Sequence, residues 1–206
     1  MTIGLMMVVR NEKEKINKCL DWHLPYFDEV SICDQKSEDG TWEILQEYKK
    51  KSKIPFSLWQ DEPAGFPETS KQKTVSLLKT DWVLLVDADE FFSKEFLEKM
   101  HEIVKDKKFI GYTFPRNNIF HVKVYDDSVP IKPKWLKVLH PSRDYQLRLS
   151  IRKFSVFPPF LHHRVRINGE TNGDKIGIST YAINHIKTIQ DQWEDQRRYK
   201  GVIKNV

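Results

Sequence analysis

Residues Trp82–Glu90 read WVLLVDADE, an apolar run of strand length that ends abruptly in acids. A strand that is apolar at successive positions is buried on both faces, as parallel strands covered by helices are. In an extended segment Asp87 and Asp89 project to the same side. Carboxylates that close repel each other, so the pair calls for a cation. Oxygen donors of this kind suit Mg2+ or Mn2+, which in turn bridge phosphate oxygens. A mere capping role for the acids is disfavoured, because Ser93 just downstream is the better cap.

Outward from this stretch, helical and strand periodicities alternate. Ile3–Arg10 (IGLMMVVR) is another buried strand. A helix follows from about Glu12, with Ile16, Cys19 or Leu20, His23 or Leu24 and Phe27 at helical spacing, and Pro25 marks its end. Glu29–Cys33 is a strand, Asp34–Gly40 a polar turn, and the next helix carries Ile44, Leu45 and Tyr48 on one side. Ile54–Trp59 is a strand, Asp61–Pro67 a loop, and Glu68–Lys79 an amphipathic helix leading into WVLLV. A helix capped by Ser93 runs to about Lys107, and Phe109–Pro115 is a further strand. Alternation of this kind predicts an α/β fold, a mixed but mainly parallel sheet with helices on both faces.

Beyond Pro115 the pattern changes. Residues 125–141 are loop-like, with Pro130, Pro133 and Pro141. Tyr145–Ile151 and Leu161–Ile167 read as antiparallel strands, and Thr188–Tyr199 as a last helix. The expectation is one domain over 1–206, with a nucleotide-type half (1–115) and a more irregular half (116–206) that closes over it. A C-terminus that stops inside or just after a helix is also what one domain of a longer protein would show.

The composition narrows the classes. No apolar run approaches the roughly 20 residues of a membrane span, and the N-terminus lacks the basic region and cleavage site of a signal peptide. Cys19 and Cys33 are too few for a disulfide framework or a cysteine zinc site, and read as buried reduced thiols of a cytoplasmic protein. Net charge is +5, unevenly spread: residues 105–166 hold 14 Lys and Arg against 4 Asp and Glu. A basic second half suits an anionic partner.

Ligands of an open parallel sheet bind beyond the carboxyl ends of its strands. Three such ends are polar here: Arg10-Asn11-Glu12, Asp34 to Asp39, and Asp87 to Glu90. These stretches resemble the family 2 glycosyltransferases of GT-A fold. The first strand with Asn11-Glu12 is similar to the family's opening strand and Asn-Glu pair. Residues 34–41 (DQKSEDGT) resemble the segment D-D-G-S-T-D-G-T, matching at Asp34, Ser37, Asp39, Gly40 and Thr41 and departing at Gln35, Lys36 and Glu38. Gln72 falls where a subgroup has Q-R-N, with Lys73 and Thr74 replacing Arg and Asn. WVLLVDADE resembles the metal-binding strand. In the second half, residues 144–149 (DYQLRL) match the D-x-Q-x-R-L strand of a bacterial subgroup that includes small lipopolysaccharide-core transferases. Residues 161–165 (LHHRV) resemble its V-H-E-x-V, with His163 in the glutamate position, and His185 fits a late single histidine.

The resemblance implies transfer of a sugar from a nucleotide diphosphate donor, a UDP-hexose above all, to a hydroxyl of a glycan acceptor, with inversion and with Mn2+ or Mg2+. It implies metal ligation by Asp87, Asp89 and His185, with Asp89 the direct ligand. Val9, Arg10, Asn11, Glu12, Asp34, Lys71, Lys73, Asp87 and Ala88 would line the nucleotide, Asp34 accepting from uracil N3–H. Gln72, Arg148, His163 and Arg164 would contact diphosphate, sugar or acceptor. Inversion needs a general base on the acceptor hydroxyl; Asp144 is the first choice, with Glu170 and Asp174 as alternatives.

Other classes fit less well. A nucleotidyltransferase wants a basic, Gly-rich loop after the first strand, and Val8–Glu12 has no glycine. A haloacid-dehalogenase-type phosphatase wants its D-x-D at the first strand, not the fourth. A nucleic-acid or anion-binding module would use the basic half but leaves the acidic strand ends without a purpose.

Overall fold

The computed structural model describes residues 1–63, 67–121, 145–158, 166–167 and 175–188. The chain runs β1 (Ile3–Val9), α1 (Lys13–His23), β2 (Glu29–Asp34), α2 (Thr41–Lys51), β3 (Phe56–Gln60), α3 (Glu68–Ser76), β4 (Trp82–Leu85), β5 (Glu90–Phe92), α4 (Lys94–Ile103) and β6 (Gly111–His121). It continues with β7 (Tyr145–Ile151), β8 (Ser155–Val156), β9 (Arg166–Ile167), β10 (Ile176–Ile178) and β11 (Ile183–Thr188). The main sheet has the order β3-β2-β1-β4-β7-β6-β11-β5, with β10 also on β6, and β8 and β9 form a separate ribbon.

The alternation of β1 builds two cores. Ile3, Leu5, Met7 and Val9 join one with Ile16 and Leu20 of α1, Leu45 of α2 and Phe96 and Leu97 of α4. Met6 faces the other way, into a smaller core with Val75 of α3, Leu78, Val83, Leu85 and Phe157. Helices therefore cover both faces, as the continuous apolar strands require. Each fully buried Leu, Ile or Met contributes roughly 1.5–3 kcal/mol by leaving water, so β1 and β4 are the rigid floor of the fold. Gly4 lies where α3 ends against the sheet: a Cβ there would sit 2.6 Å from Thr80 Oγ1 and 2.9 Å from a Leu78 methyl. Ser93 caps α4 as read from the sequence, its hydroxyl accepting from Phe96 N at 3.2 Å.

β1, β2, β3 and β4 are mutually parallel neighbours. β7 lies antiparallel to both β4 and β6, as its reading predicts. The strand expected over Phe109–Pro115 differs in two ways. It runs on to His121, and β7 separates it from β4, because the chain returns beside β6 antiparallel and takes the place next to β4. The short β5, β10 and β11 are additions that the periodicities did not reveal. The strand expected at 161–167 is described at Arg166–Ile167 alone, and the helix expected from Thr188 lies, apart from Thr188 itself, outside the described residues. Cys19 and Cys33 are free and buried. Among the described residues no helix is long and apolar enough to cross a membrane.

Candidate functional site

The carboxyl ends of β1, β2 and β4 gather three polar segments at one edge of the sheet. The first two interlock. Asn11, in the left-handed region (φ 56°), donates its N–H to Ser37 Oγ at 2.9 Å and accepts from Glu38 N on its side-chain oxygen at 2.9 Å. Glu12 N donates to Thr41 Oγ1 at 2.8 Å. Asp39 serves two helix starts: Oδ2 accepts from Lys13 N at 2.9 Å, and Oδ1 from Thr41 N at 2.9 Å and the Thr41 hydroxyl at 2.6 Å. Burial alone would raise the Asp39 carboxyl, but these bonds lower it below the usual aspartate value. Gly40 takes φ 99° before α2. The matched residues Ser37, Asp39, Gly40 and Thr41 thus build the loop pair itself. Lys36 replaces the glycine of the resembled segment, yet keeps a left-handed φ of 51°, a conformation costing an L-residue about 1–2 kcal/mol.

Asp34 is fully buried. Its carboxylate accepts from Ser37 N at 3.0 Å, the Ser37 hydroxyl at 2.5 Å and Gln60 Nε2 at 3.0 Å. Gln60 was not singled out in the sequence, although parallel β2–β3 pairing sets it opposite Asp34. Val9 is buried, and Arg10 is half-buried with an Nε that has no hydrogen-bond partner among the described residues.

The acidic segment is not extended, which corrects the expectation that its carboxylates point one way. β4 stops at Leu85, and Glu90 N turns back to donate to Asp87 O at 3.0 Å. The side chains diverge. Asp87 Oδ2 accepts from Arg148 Nη2 at 2.6 Å, whereas Asp89 Oδ2 lies 3.1 Å from His185 Nε2. Ala88 between them is buried. Glu90, with no exposed surface, takes a bond from the same Arg148 Nη2 at 2.5 Å, and Arg116 Nη1 is 3.7 Å away. Burial works to raise Asp87, but Arg148 and then Lys71 overcome it and hold the carboxyl down at about 2. Burial dominates at Glu90 and raises it, against the pull of Arg148. Arg148 is itself raised: burial works against its charge, and Asp87 and Glu90 more than offset that.

Arg148 Nη2 is therefore held by carboxylates and the residue is 6% exposed, whereas the sequence makes it a candidate for diphosphate or acceptor. Among the described residues no group of three or more His, Cys, Asp or Glu is arranged to hold a metal ion. Of the expected ligands, Asp89 and His185 are brought together, and Asp87 faces Arg148. Lys71 pairs with Glu68 at 3.6 Å and is close enough to lower Asp87. Lys73 lies over the Trp59 ring at 3.8 Å. Gln72 accepts from Phe157 N at 2.8 Å, so it braces α3 against the segment after β7. Asp144, His163, Arg164, Glu170 and Asp174 lie outside the described residues. Glu90 and Arg116 were missed as partners in this site; the signal was a third acid after the D-x-D and a lone basic residue in the strand before the loop.

Comparison with known proteins gives the arrangement its context. A poly(ribitol-phosphate) beta-glucosyltransferase of Bacillus spizizenii is 28% identical over 113 residues, which cover 52% of this chain and 18% of that protein. The chain thus spans a minor part of this relative's length. The structure of TarS residues 1–349 from S. aureus in complex with UDP-GlcNAc superposes with a TM-score of 0.60 at 15% identity, covering 91% of this chain and 59% of that one. GalNAc-T7 with UDP, GalNAc and Mn2+ superposes with a TM-score of 0.59 at 16% identity, covering 91% and 44%. These two likenesses are of fold, the GT-A fold. The model of the glycosyl transferase family 2 matches residues 5–160, from β1 through the acidic turn and β7, and the chain belongs to that family.

Proposed function

We propose that the chain is the donor-binding and catalytic domain of a metal-dependent, inverting glycosyltransferase that moves a hexose from a UDP-sugar to a glycan hydroxyl. One observation carries the reading: Asp89 and His185 converge at a strand end beside a carboxylate that Arg148 keeps ionised. The donor class is supported by the fold neighbours, one bound to UDP-GlcNAc and one to UDP and Mn2+.

The residues fit a divalent cation. A carboxylate oxygen and an imidazole nitrogen 3.1 Å apart are a donor set that suits Mn2+, and Asp89 and His185 would hold it. Once bound, the cation would offset charge on the diphosphate leaving group. Arg10, whose buried Nε has no partner among the described residues, has a hydrogen-bond donor available for an anion. Lys71 adds positive charge near Asp87. Asp34 reads the base through an imino hydrogen, with Asn11 and Glu12 shaping the loop above it. Asp144 takes the proton of the acceptor hydroxyl, with Glu170 or Asp174 in reserve, and His163 and Arg164 remain assigned to substrate contacts by the sequence resemblance alone. The two free thiols fit a cytoplasmic setting.

Calorimetric titration of UDP, dTDP and GDP in Mn2+ and in EDTA tests the reading. Tight UDP binding in Mn2+ and weak binding in EDTA is expected. Equal affinity in both, or no nucleotide binding at all, overturns it.

A further inference from the structure

Glu90 takes no part in the donor site as proposed, yet it is the most deeply buried acid of the turn, with no exposed surface. A carboxylate in such a place is costly unless it is paired. Its partner is the same nitrogen that holds Asp87. Arg148 Nη2 carries two hydrogens; one goes to Asp87 Oδ2 at 2.6 Å and the other to Glu90 Oε1 at 2.5 Å. Both are thereby used, so Nη2 has a single position that satisfies both acids. The guanidinium is planar and rigid, and Arg148 is itself buried.

Glu90 is fixed in turn. It opens β5, which pairs with β11 in a register that sets Glu90 opposite His185, and Arg116 of β6 approaches the same oxygen at 3.7 Å. Asp87, by contrast, sits in a turn, with its side chain 37% exposed. The buried end of the chain of contacts is thus Glu90, and the end open to solvent is Asp87.

We propose that Glu90 is a positioning residue of the donor site: acting through Arg148, it fixes the Asp87 carboxylate in the orientation that receives the nucleotide sugar. This rests on the reading of Asp87 as a donor contact. Two effects of removing Glu90 have opposite signs. By charge alone, Glu90→Gln makes the site more positive and tightens an anionic ligand. By positioning, it weakens the second anchor of Arg148, lets Asp87 turn, and loosens the ligand.

The experiment is calorimetry of UDP in Mn2+ with the 206-residue chain. Glu90→Gln is expected to bind about tenfold more weakly, the loss of one charge-assisted hydrogen bond's worth of order. Asp87→Asn is also weaker, and the double variant binds no more weakly than Asp87→Asn alone. Tighter or unchanged binding by Glu90→Gln, or losses that add, overturns the proposal. Should Glu90→Gln fail to fold, Glu90→Asp keeps the charge and shortens the reach, and the same weakening is expected. A wild-type chain that binds no UDP overturns the proposed function instead. The clamp then remains readable by thermal unfolding: Glu90→Gln should cost less in an Arg148→Met background than in the wild type, and equal cost overturns it.

Discussion

His185 Nε2 lies 3.1 Å from Asp89 Oδ2 across 96 residues of chain. The contact is a product of the sheet. β11 runs antiparallel beside β5, setting His185 opposite Glu90, and Ile186 N donates to Asp89 O at 2.8 Å. Backbone and side chain of the acidic turn are therefore both held from the second half of the molecule. Asp89→Ala should abolish the effect of Mn2+ on UDP binding, and His185→Ala should weaken Mn2+ by at least about tenfold. Neither should shift Tm by more than a few degrees, because neither side chain belongs to the two apolar cores. Full Mn2+ affinity in His185→Ala would reduce the contact to a local hydrogen bond.

Asp39 joins the starts of α1 and α2 through Lys13 N and Thr41 N. Losing one helix cap costs about 0.5–2 kcal/mol. Asp39→Ala should cost toward the top of that range in urea unfolding, since one side chain serves both helices. Asp39→Asn, which keeps the accepting oxygen of one side, should recover part of the loss. A cost indistinguishable from zero for Asp39→Ala would mean that water replaces both caps.

The parallel core was legible because burial on both faces leaves a mark on every residue of β1 and β4. The loop pair was legible as well: Asp34, Ser37, Asp39 and Gly40 are residues whose short side chains or backbone freedom a turn needs. The acidic turn was only half legible. Two carboxylates at i and i+2 look alike in a sequence, and only the third dimension sends one to Arg148 and the other to His185. Short strands escaped for a similar reason. β5 has three residues, too few for a period to appear, and it exists because β11 supplies its hydrogen bonds. Lys73 and Gln72 show how little a residue's type says about its neighbours. Their types suit phosphate and sugar, and the fold sets Lys73 over a ring at 3.8 Å and gives the Gln72 oxygen a backbone N–H at 2.8 Å.

His23 gives the fold a sensitivity to acid. It has no exposed surface, and its ring lies 6.0 Å from those of Phe91 and Phe92. Nδ1 donates to Cys19 O at 2.7 Å and Nε2 accepts from Phe92 N at 3.5 Å, an arrangement for the neutral ring. Burial lowers its pKa to about 4, only partly countered by the bond to Cys19. The unfolded chain takes up the proton near pH 6.5 and the folded chain only near pH 4, so stability is full above pH 6.5 and falls as the pH drops between these values. Between pH 7 and pH 4.5 the wild type should lose roughly 2.5 kcal/mol more than His23→Gln. Parallel pH curves for the two proteins in urea unfolding would show that His23 is not the group responsible.

Asp34 tests the donor base, and its geometry sets two roles against each other. As a base reader it accepts one hydrogen bond from an imino N–H, worth about 1.5–3 kcal/mol when the acceptor is charged. As a structural residue it holds Ser37, which in turn receives Asn11 N at 2.9 Å. In the first role, Asp34→Ala weakens UDP by that amount, leaves inorganic diphosphate alone, and erases any preference for UDP over CDP, since cytosine has no imino hydrogen. In the second, the loop pair loosens, UDP and diphosphate lose affinity together, and Tm falls. Ser37→Ala separates the two, because it removes the hydroxyl shared by Asp34 and Asn11 and leaves the carboxylate in place. The expected outcome is a selective loss for uridine nucleotides in Asp34→Ala and a uniform, smaller loss in Ser37→Ala. The same uniform loss in both variants would assign Asp34 to the loop and leave the base to another residue.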